Sequence, residues 1–492
     1  MASPERRPIL RLSGQELVRA DEDRRVEIGV YDFLLPCRKY EITYKVAVLG
    51  NVSPSLEFLL RLVKALPGIS DDVVETFFGY SRAEMTYVLD EAIEPGYVER
   101  RDGRLWLTGA GDALFRDGEE VPSIFAVEDR RRAVGFDLLA IAPERPRRLD
   151  HHELWLPELP IEEDAGTGQV ASRIGGQFSR FFHEFSERAD REQVQRRDLY
   201  SIDEVVPKER FQTSVRLRVF AQASAPSLPE IDLGAWRPDH EVADRPQVES
   251  AAAMLIDDLK ISPNHLDAPA GYDVLGRLAP EFFKEFLTQK GLSVSRYWRE
   301  AVGRAGEPRS DRQTVAIVGP LYTEDNARRL SSVLEYGLRD KKPVESRGII
   351  SVAPQARFWG ATMQQRDTLS LLKRMIGKAS GIDGSEIMSA CLYPGKPPRY
   401  LEGAFERIRS SDTLAFPGSL EVLLVPRTAV SVVVHSPIGA ATGQAVALGF
   451  ASFDAQVIRR AQVYVREFLP LFVPDEAECR QYIDAMSDPP PT

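Results

Sequence analysis

Apolar runs alternate with amphipathic segments most regularly in the C-terminal third of the chain. Short runs rich in β-branched residues predict buried strands, and apolar residues repeated every three or four positions predict helices. Strands are expected at residues 314–320, 346–353, 420–425, 431–435 and 445–449, and helices at residues 323–337, 367–376 and 454–469. Gly337 is expected to end the first helix, because glycine often terminates helices. This order predicts an α/β domain over residues 312–475, followed by a tail at residues 476–492.

A compact module of helices and a hairpin is predicted nearer the N-terminus. Three helices are expected between residues 53 and 93, and the last begins at Ser81, where Glu84 stands at capping-box spacing. Residues 97–108 are expected to form a hairpin, because Asp102-Gly103 is a strong signal for a two-residue turn. Three helices followed by a hairpin resemble a winged helix. The resemblance implies a domain of this family over residues 53–117, with a hairpin that often follows the phosphate backbone of DNA.

The flanking regions carry weaker signals. The segment 1–52 contains strand-like residues at 26–31 and 40–48. The middle region, residues 118–311, is mixed and contains linkers, and its proline- and acid-rich stretch 226–247 is expected to run over the surface. Two groups at helical spacing are expected to face a core, namely Phe178, Phe181, Phe182 and Phe185, and Phe282, Phe283, Phe286 and Leu287. The expected fold class is therefore α+β with several domains.

Composition narrows the function classes. The chain has 492 residues and a formal net charge of −11, which argues against a protein that coats nucleic acid. Its three cysteines are scattered, so no disulfide framework is predicted and a reducing cytoplasm is favoured. No apolar signal core follows the N-terminus, and no apolar run reaches the roughly 20 residues of a membrane-spanning helix. We expect a cytoplasmic protein with no membrane contact and no cofactor.

His435 is the most informative single residue. It ends the predicted strand Ser431-Val-Val-Val-His435, and a second apolar strand ends at Gly449. This layout resembles the phospholipase D-like superfamily, in which a histidine is followed by a lysine two residues on, an aspartate five further, and a Gly-Ser-x-Asn turn. His435 and Gly449 stand at the family's spacing. Four positions depart from the family's pattern. Pro437 stands where the family has the lysine, and Thr442 stands where it has the aspartate. Phe450 and Ser452 stand where it has the serine and the asparagine.

The resemblance implies one half of a two-histidine site, which a homodimer would complete. In this family one histidine attacks phosphorus and the other protonates the leaving oxygen, while lysines hold the phosphate charge. Pro437 has neither a charge nor a donor. We therefore expect no catalytic residue, and we favour a structural role for His435, which is the only catalytic candidate.

Arginines near the predicted hairpin tip are the candidate nucleic-acid contacts. Arg100, Arg101 and Arg104 could supply salt-dependent affinity for phosphates. The preceding helix is acidic and would be repelled by phosphate, so protein docking and a plain solvated hairpin stay open as alternatives. A second basic cluster, at residues 130–132 and 145–148, is flanked by acids and suits a salt-bridged surface at least as well as a phosphate contact.

No metal site is predicted. His151-His152-Glu153 is the nearest candidate, but adjacent histidines on a strand point to opposite faces. Phosphate-binding loops with the required lysine, nucleophile elbows and kinase motifs are absent from the sequence.

The favoured hypothesis is a non-catalytic accessory or scaffold component of a cytoplasmic prokaryotic assembly that acts on DNA, of the phage-defence or DNA-modification type. Its expected partners are other protein subunits and double-stranded DNA, and a homodimer is possible. One alternative is a phospholipase D-like nuclease or phosphodiesterase that uses His435 across a homodimer. The other is a winged-helix transcription regulator. The resemblances to the winged helix and to the phospholipase D-like superfamily suggest, by analogy of fold, an assembly that acts on DNA.

Overall fold

The computed structural model describes the following residues: 24–49, 53–115, 120–122, 125–161, 167–189, 197–236, 245–262, 266–304, 306–339, 348–413 and 415–486. Residues 1–23 of the N-terminal segment and residues 487–492 of the predicted tail lie outside them. The chain divides into two compact units. The first comprises residues 1–37, 137–163 and 210–492, and the second comprises residues 38–136 and 164–209. The predicted domain boundaries stay predictions.

Strands and helices mix throughout the described residues, which confirms the predicted α+β class. The strands are β1 (Arg25–Leu49), β2 (Ile69–Ser70), β3 (Val98–Arg101), β4 (Arg104–Leu107), β5 (Phe125–Asp137), β6 (Arg197–Gln222), β7 (Ala225–Asp232), β8 (Leu287–Thr288), β9 (Gly291–Leu292), β10 (Thr314–Val318), β11 (Gly348–Val352), β12 (Met388–Pro394), β13 (Arg407–Ser411), β14 (Leu420–Val425), β15 (Ala429–Ser436) and β16 (Val446–Ser452).

The helices are α1 (Pro54–Ala65), α2 (Asp71–Phe78), α3 (Arg82–Ile93), α4 (Gly109–Asp112), α5 (Thr167–Arg180), α6 (Phe182–Ala189), α7 (Pro246–Asp257), α8 (Ala268–Leu278), α9 (Pro280–Phe283), α10 (Val294–Arg304), α11 (Glu324–Arg339), α12 (Met363–Ser380), α13 (Ala455–Phe472) and α14 (Glu476–Met486). Short 3₁₀ turns occur at Glu153–Trp155, Gly384–Glu386 and Arg399–Gly403. None of the described helices is long and apolar enough to cross a membrane.

In the second unit, α1, α2 and α3 pack with a three-stranded sheet of order β2-β4-β3 around an apolar core. The predicted capping box is present, with the Ser81 side chain and Glu84 each bonded to the other's backbone. Asp102 and Gly103 have φ values of 48° and 73°, as a tight hairpin turn with two left-handed residues requires. The three predicted helices and the hairpin are thus confirmed as elements.

In the first unit, a seven-stranded sheet of order β10-β16-β15-β14-β11-β12-β13 lies between two apolar layers. Successive strand residues alternate between the two faces. On β15, Val432 and Val434 join the layer that includes residues of α8 and α13, while Val433 joins the layer that includes residues of α11 and α12. A sheet covered on both faces explains why its central strands are mostly apolar on both faces.

The strand-like character predicted for the N-terminal segment is confirmed, and the prediction for the proline-rich stretch needs correction. Residues 26–31 and 40–48 lie in one strand of 25 residues, β1. The strands β5 and β6 pair with β1 on its two sides, in the sheet order β5-β1-β6-β7. This pairing keeps the polar stretch of β1 in the strand conformation. The stretch 226–247 was expected to run over the surface, but its first seven residues lie in β7. Its prolines are tolerated because β7 is an edge strand.

Three predictions about helices need correction. α11 does not end at Gly337 but continues to Arg339. A Cβ atom at Gly337 would lie 2.2 Å from the Thr428 carbonyl oxygen, so this glycine permits close packing. The group ending in Leu287 is not one helical face, since α9 ends at Phe283 and Leu287 lies exposed in β8. The predicted helix at 367–376 begins four residues earlier, at Met363.

Candidate functional site around His435

His435 lies near the end of a completely buried strand. β15 has no exposed position, and the His435 backbone N–H donates to the Ser419 carbonyl at 2.8 Å. The alternation of β15 puts His435 on the same face as Val433, toward the layer that includes α11 and α12. The side chain is 10% exposed.

The imidazole of His435 pairs with a buried carboxylate that the sequence analysis missed. Glu421 on the neighbouring strand β14 has its Oε2 atom 2.6 Å from His435 Nε2, and the Glu421 side chain is 1% exposed. In the antiparallel register Val433 stands opposite Glu421, so His435 is its diagonal neighbour. An ionised carboxylate only accepts hydrogen bonds, so with Glu421 in that form Nε2 of His435 donates in this contact. The pair fixes the orientation of the imidazole ring.

A cavity of about 270 Å³ opens beside this pair. Its walls are formed by apolar and aromatic side chains, including Ile28, Val30, Tyr31, Leu259, Phe358 and Trp359. Its polar lining comprises Asp258, Lys260, Tyr322, Gln355, Arg357, Thr362, Glu421, His435 and Gln444. A concave site with mostly apolar walls and a few convergent polar groups is typical of a small-ligand site.

The formal charges that line the cavity cancel. Lys260 and Arg357 are cations on exposed residues, and Asp258 and Glu421 are carboxylates, of which Glu421 is the buried one. Lys260 forms an ion pair with Asp257, and the Arg357 guanidinium lies 4.7 Å from the centre of the Phe358 ring. The buried carboxylate of Glu421 pairs with His435, and the cationic groups belong to exposed residues.

One wall of the cavity is a loop with unusual backbone geometry. Phe358 and Gly360 have φ values of 60° and 79°, in the left-handed region that is costly for phenylalanine. The loop leads into α12, whose N-cap is Thr362. Asp32 accepts hydrogen bonds from the Met363 N–H at 2.6 Å and from the Thr362 hydroxyl at 3.2 Å. Asp32 is itself held by both Arg216 nitrogens, at 2.8 and 3.1 Å, so the end of the loop is anchored.

The tyrosines of the cavity are kept protonated. Burial raises the pKa of Tyr322 well above its usual range, and the negative charge of Glu421 raises this pKa further. Burial raises the pKa of Tyr31 to about 12, although a hydrogen bond with Gln444 opposes the shift. Both phenols are therefore hydrogen-bond donors rather than anions at neutral pH.

The positions around His435 singled out by the resemblance to the phospholipase D-like superfamily are occupied by uncharged residues. Pro437 is buried and Thr442 is exposed. A Cβ atom at Gly449 would lie 1.9 Å from the Val432 carbonyl oxygen, so the backbone approach there requires glycine. Phe450 is fully buried, and the Ser452 hydroxyl bonds with the Thr314 hydroxyl at 2.8 Å. None of these positions brings a cation to His435.

The hairpin arginines have partners within their own module. Arg100 pairs with Asp71, Arg101 lies 2.5 Å from Glu99, and Arg104 donates to the Gly68 carbonyl at 2.9 Å. All three residues remain exposed.

The second basic cluster is partly paired, as a salt-bridged surface would be. Arg130 pairs with Glu128, and Arg131 with Glu41 at 2.7 Å. Arg147 pairs with Glu153 at 2.5 Å.

His151 and His152 lie in a turn. The sequence argument against a metal site had placed them on a strand. His152 is 1% exposed, and burial lowers its pKa. Among the described residues no group of three or more histidine, cysteine or acidic side chains could hold a metal ion.

Comparisons with known proteins leave the family open. No family model and no curated protein matches the chain. Among solved structures, NucT from Helicobacter pylori is similar at 12% sequence identity, over 32% of this chain and 96% of NucT, with a TM-score of 0.20. A TM-score of this size assigns neither fold nor function.

The sequence contained a signal for Glu421. Glu421 is the second residue of an otherwise apolar strand, and a buried carboxylate is rare unless it has a partner. Tyr322, Trp359 and Gln444 gave no comparable signal, because they come from separate loops that only the fold brings together.

Proposed function

We propose that this chain is a non-catalytic component of a cytoplasmic prokaryotic assembly that acts on DNA, and that its C-terminal α/β region is a phospholipase D-like domain that binds rather than cleaves. The proposal is carried by the charge of the His435 cavity. A phosphoryl transition state needs fixed positive charge close to the reacting group. The buried charge here is the carboxylate of Glu421, and the family's lysine position is Pro437.

Exposed apolar side chains in the second unit support protein partners. Phe58, Val73, Phe77 and Tyr87 on α1, α2 and α3 are each more than half exposed. Isolated surface apolar residues are ordinary, but several on three neighbouring helices are typical of a docking surface. We propose that residues 53–117 form a winged helix that contacts partner subunits, and that its hairpin arginines contact DNA.

A nuclease assay with a matched variant tests the non-catalytic role. The purified protein is incubated with single- and double-stranded DNA in Mg²⁺, Mn²⁺, Ca²⁺ or chelator, beside His435→Gln. We expect no cleavage above the buffer control from either protein, since losing even one preorganised donor costs about 100-fold or more. Cleavage by the natural protein that disappears in His435→Gln would overturn the proposal.

That outcome would establish the second candidate, a nuclease or phosphodiesterase that uses His435 across a homodimer. The observation in its favour is the Glu421–His435 pair at a cavity that also has Lys260 and Arg357 in its lining. A buried carboxylate that orients a histidine is the usual support of a nucleophile or general base.

A further inference from the structure

The His435 cavity contains a group of incompletely hydrogen-bonded buried polar atoms. Among the described residues, Gln444 Oε1 and Trp359 Nε1 make no hydrogen bond, and Glu421 Oε1 and the Tyr322 hydroxyl, which interact with each other, make none of standard geometry; all four residues line the cavity. Buried polar atoms are nearly always paired, so each exception needs an explanation. Gln444 Oε1 and Trp359 Nε1 are thus left for a partner from outside the chain, and the contact between Tyr322 and Glu421 leaves these two groups only partly satisfied.

The chemistry of these atoms restricts the missing partner. Glu421 Oε1 and Gln444 Oε1 accept hydrogen bonds, and the indole N–H of Trp359 only donates. The Tyr322 hydroxyl can do either. A ligand that forms hydrogen bonds with these atoms needs N–H or O–H donors and at least one acceptor in a small molecule.

The shape and charge of the cavity restrict the ligand further. The rings of Phe358, Trp359 and Tyr31 form part of its walls, which favours a flat ring that stacks or packs edge-on. The volume of about 270 Å³ is slightly below the roughly 300–1,000 Å³ of sites for drug-sized ligands. The formal charges of the lining cancel, so the cavity offers an anion no net attraction.

We propose that this cavity binds a neutral nucleobase. The base is presented either by a free nucleoside or by an unstacked position of single-stranded nucleic acid. Proteins hold such bases by hydrogen bonds to the base edge and by stacking against aromatic side chains. The inference rests on the binding role proposed above and specifies its ligand class.

Isothermal titration calorimetry of the full chain tests this assignment. The probes are adenosine, guanosine, cytidine, thymidine and a single-stranded oligonucleotide of mixed sequence, with ribose 5-phosphate and an abasic oligonucleotide as controls. We expect one-to-one binding of at least one nucleoside or of the oligonucleotide. Binding of nucleosides identifies a free ligand, and binding of the oligonucleotide alone identifies a base within a strand.

Two tyrosine variants form a matched pair for the site. Tyr322→Phe and Tyr482→Phe each remove one buried hydroxyl that has no hydrogen-bond partner of standard geometry, but only Tyr322 lines the cavity. We expect Tyr322→Phe to weaken binding about tenfold, as loss of one buried hydrogen bond does, and Tyr482→Phe to leave it unchanged. Trp359→Phe keeps an aromatic ring, loses the N–H and is expected to behave like Tyr322→Phe. Thermal unfolding of each variant verifies that it is folded.

Two results would overturn the assignment. One is the absence of nucleoside and oligonucleotide binding to folded protein, or binding that Tyr322→Phe and Trp359→Phe leave unchanged. The other is binding of ribose 5-phosphate as tight as that of the nucleosides and lost in Arg357→Ala, which would make the cavity an anion site. Neither result depends on the nuclease assay, which alone decides whether the chain is catalytic.

Discussion

At the residue scale, buried charges affect the stability of the fold more than the net charge of the sequence does. Arg245 has a side chain 3% exposed and lies 2.7 Å from Glu144 and 3.4 Å from Asp137, both of which are also buried. Burial raises the pKa of Asp137, and Arg245 opposes that rise. The three members of this ion triad depend on one another, because removing any one of them leaves a buried charge uncompensated.

We predict that Arg245→Met lowers the free energy of unfolding by about 3–5 kcal/mol, since it leaves two buried carboxylates without a cation. Urea denaturation measures the change. Replacing all three members, as Asp137→Asn, Glu144→Gln and Arg245→Met, is expected to recover much of the loss. A triple variant no more stable than Arg245→Met would contradict this account.

His152 gives the molecule a pH dependence of defined sign. Burial lowers the pKa of His152 below 6.5, so below that pH the unfolded chain binds the proton more readily than the folded one. The stability associated with neutral His152 is complete above about pH 6.5, the usual histidine pKa, and is lost as the pH falls toward the depressed pKa of the folded state. We expect His152→Leu to flatten the pH dependence of the unfolding free energy over this window. A slope equal to that of the natural protein would show that other groups cause it.

At the element scale, the hairpin of β3 and β4 depends on its turn. Asp102 and Gly103 both have positive φ, and a Cβ atom added to Gly103 meets nothing within 4 Å. The glycine is therefore required by its backbone conformation and not by lack of space.

Gly103→Val should lower the free energy of unfolding by about 1 kcal/mol or more, because a β-branched residue is strained at positive φ. Thermal or urea unfolding measures the change. Gly109→Ala is a suitable control, since its Cβ atom also meets nothing within 4 Å and its φ is not in the left-handed region. Equal effects of the two substitutions would refute the backbone argument.

At the scale of the whole molecule, the proposed DNA contact depends on arginines that already have partners. Arg100, Arg101 and Arg104 bind Asp71, Glu99 and the Gly68 carbonyl, respectively. Phosphates would have to replace or share these partners, so affinity that depends on the hairpin is expected to be modest and sensitive to salt.

We predict that alanine at Arg100, Arg101 and Arg104 together weakens DNA binding for all sequences. The slope of log affinity against log salt should fall by up to about three, one for each phosphate contact. Gel-shift titrations at several salt concentrations measure it. Alanine at Arg130, Arg131 and Arg132, the other basic run of the second unit, is the control. If only this control lowers the slope, the contact lies away from the hairpin.

The sequence by itself determined the local elements. Capping residues, the Asp102-Gly103 turn and the apolar runs of β14, β15 and β16 specify structure through backbone geometry and burial that act within a few residues. Hence α3, the hairpin and the strand that contains His435 were all predicted near their observed positions.

Only the tertiary structure decided what those elements do together. Strand pairing on both sides made β1 one strand, and close packing at Thr428 explains Gly337 within α11. The register of β14 against β15 set Glu421 beside His435, and separate loops brought Tyr322, Trp359 and Gln444 to the same cavity. These outcomes depend on contacts between residues far apart in the chain, which no periodicity or spacing within a short segment encodes.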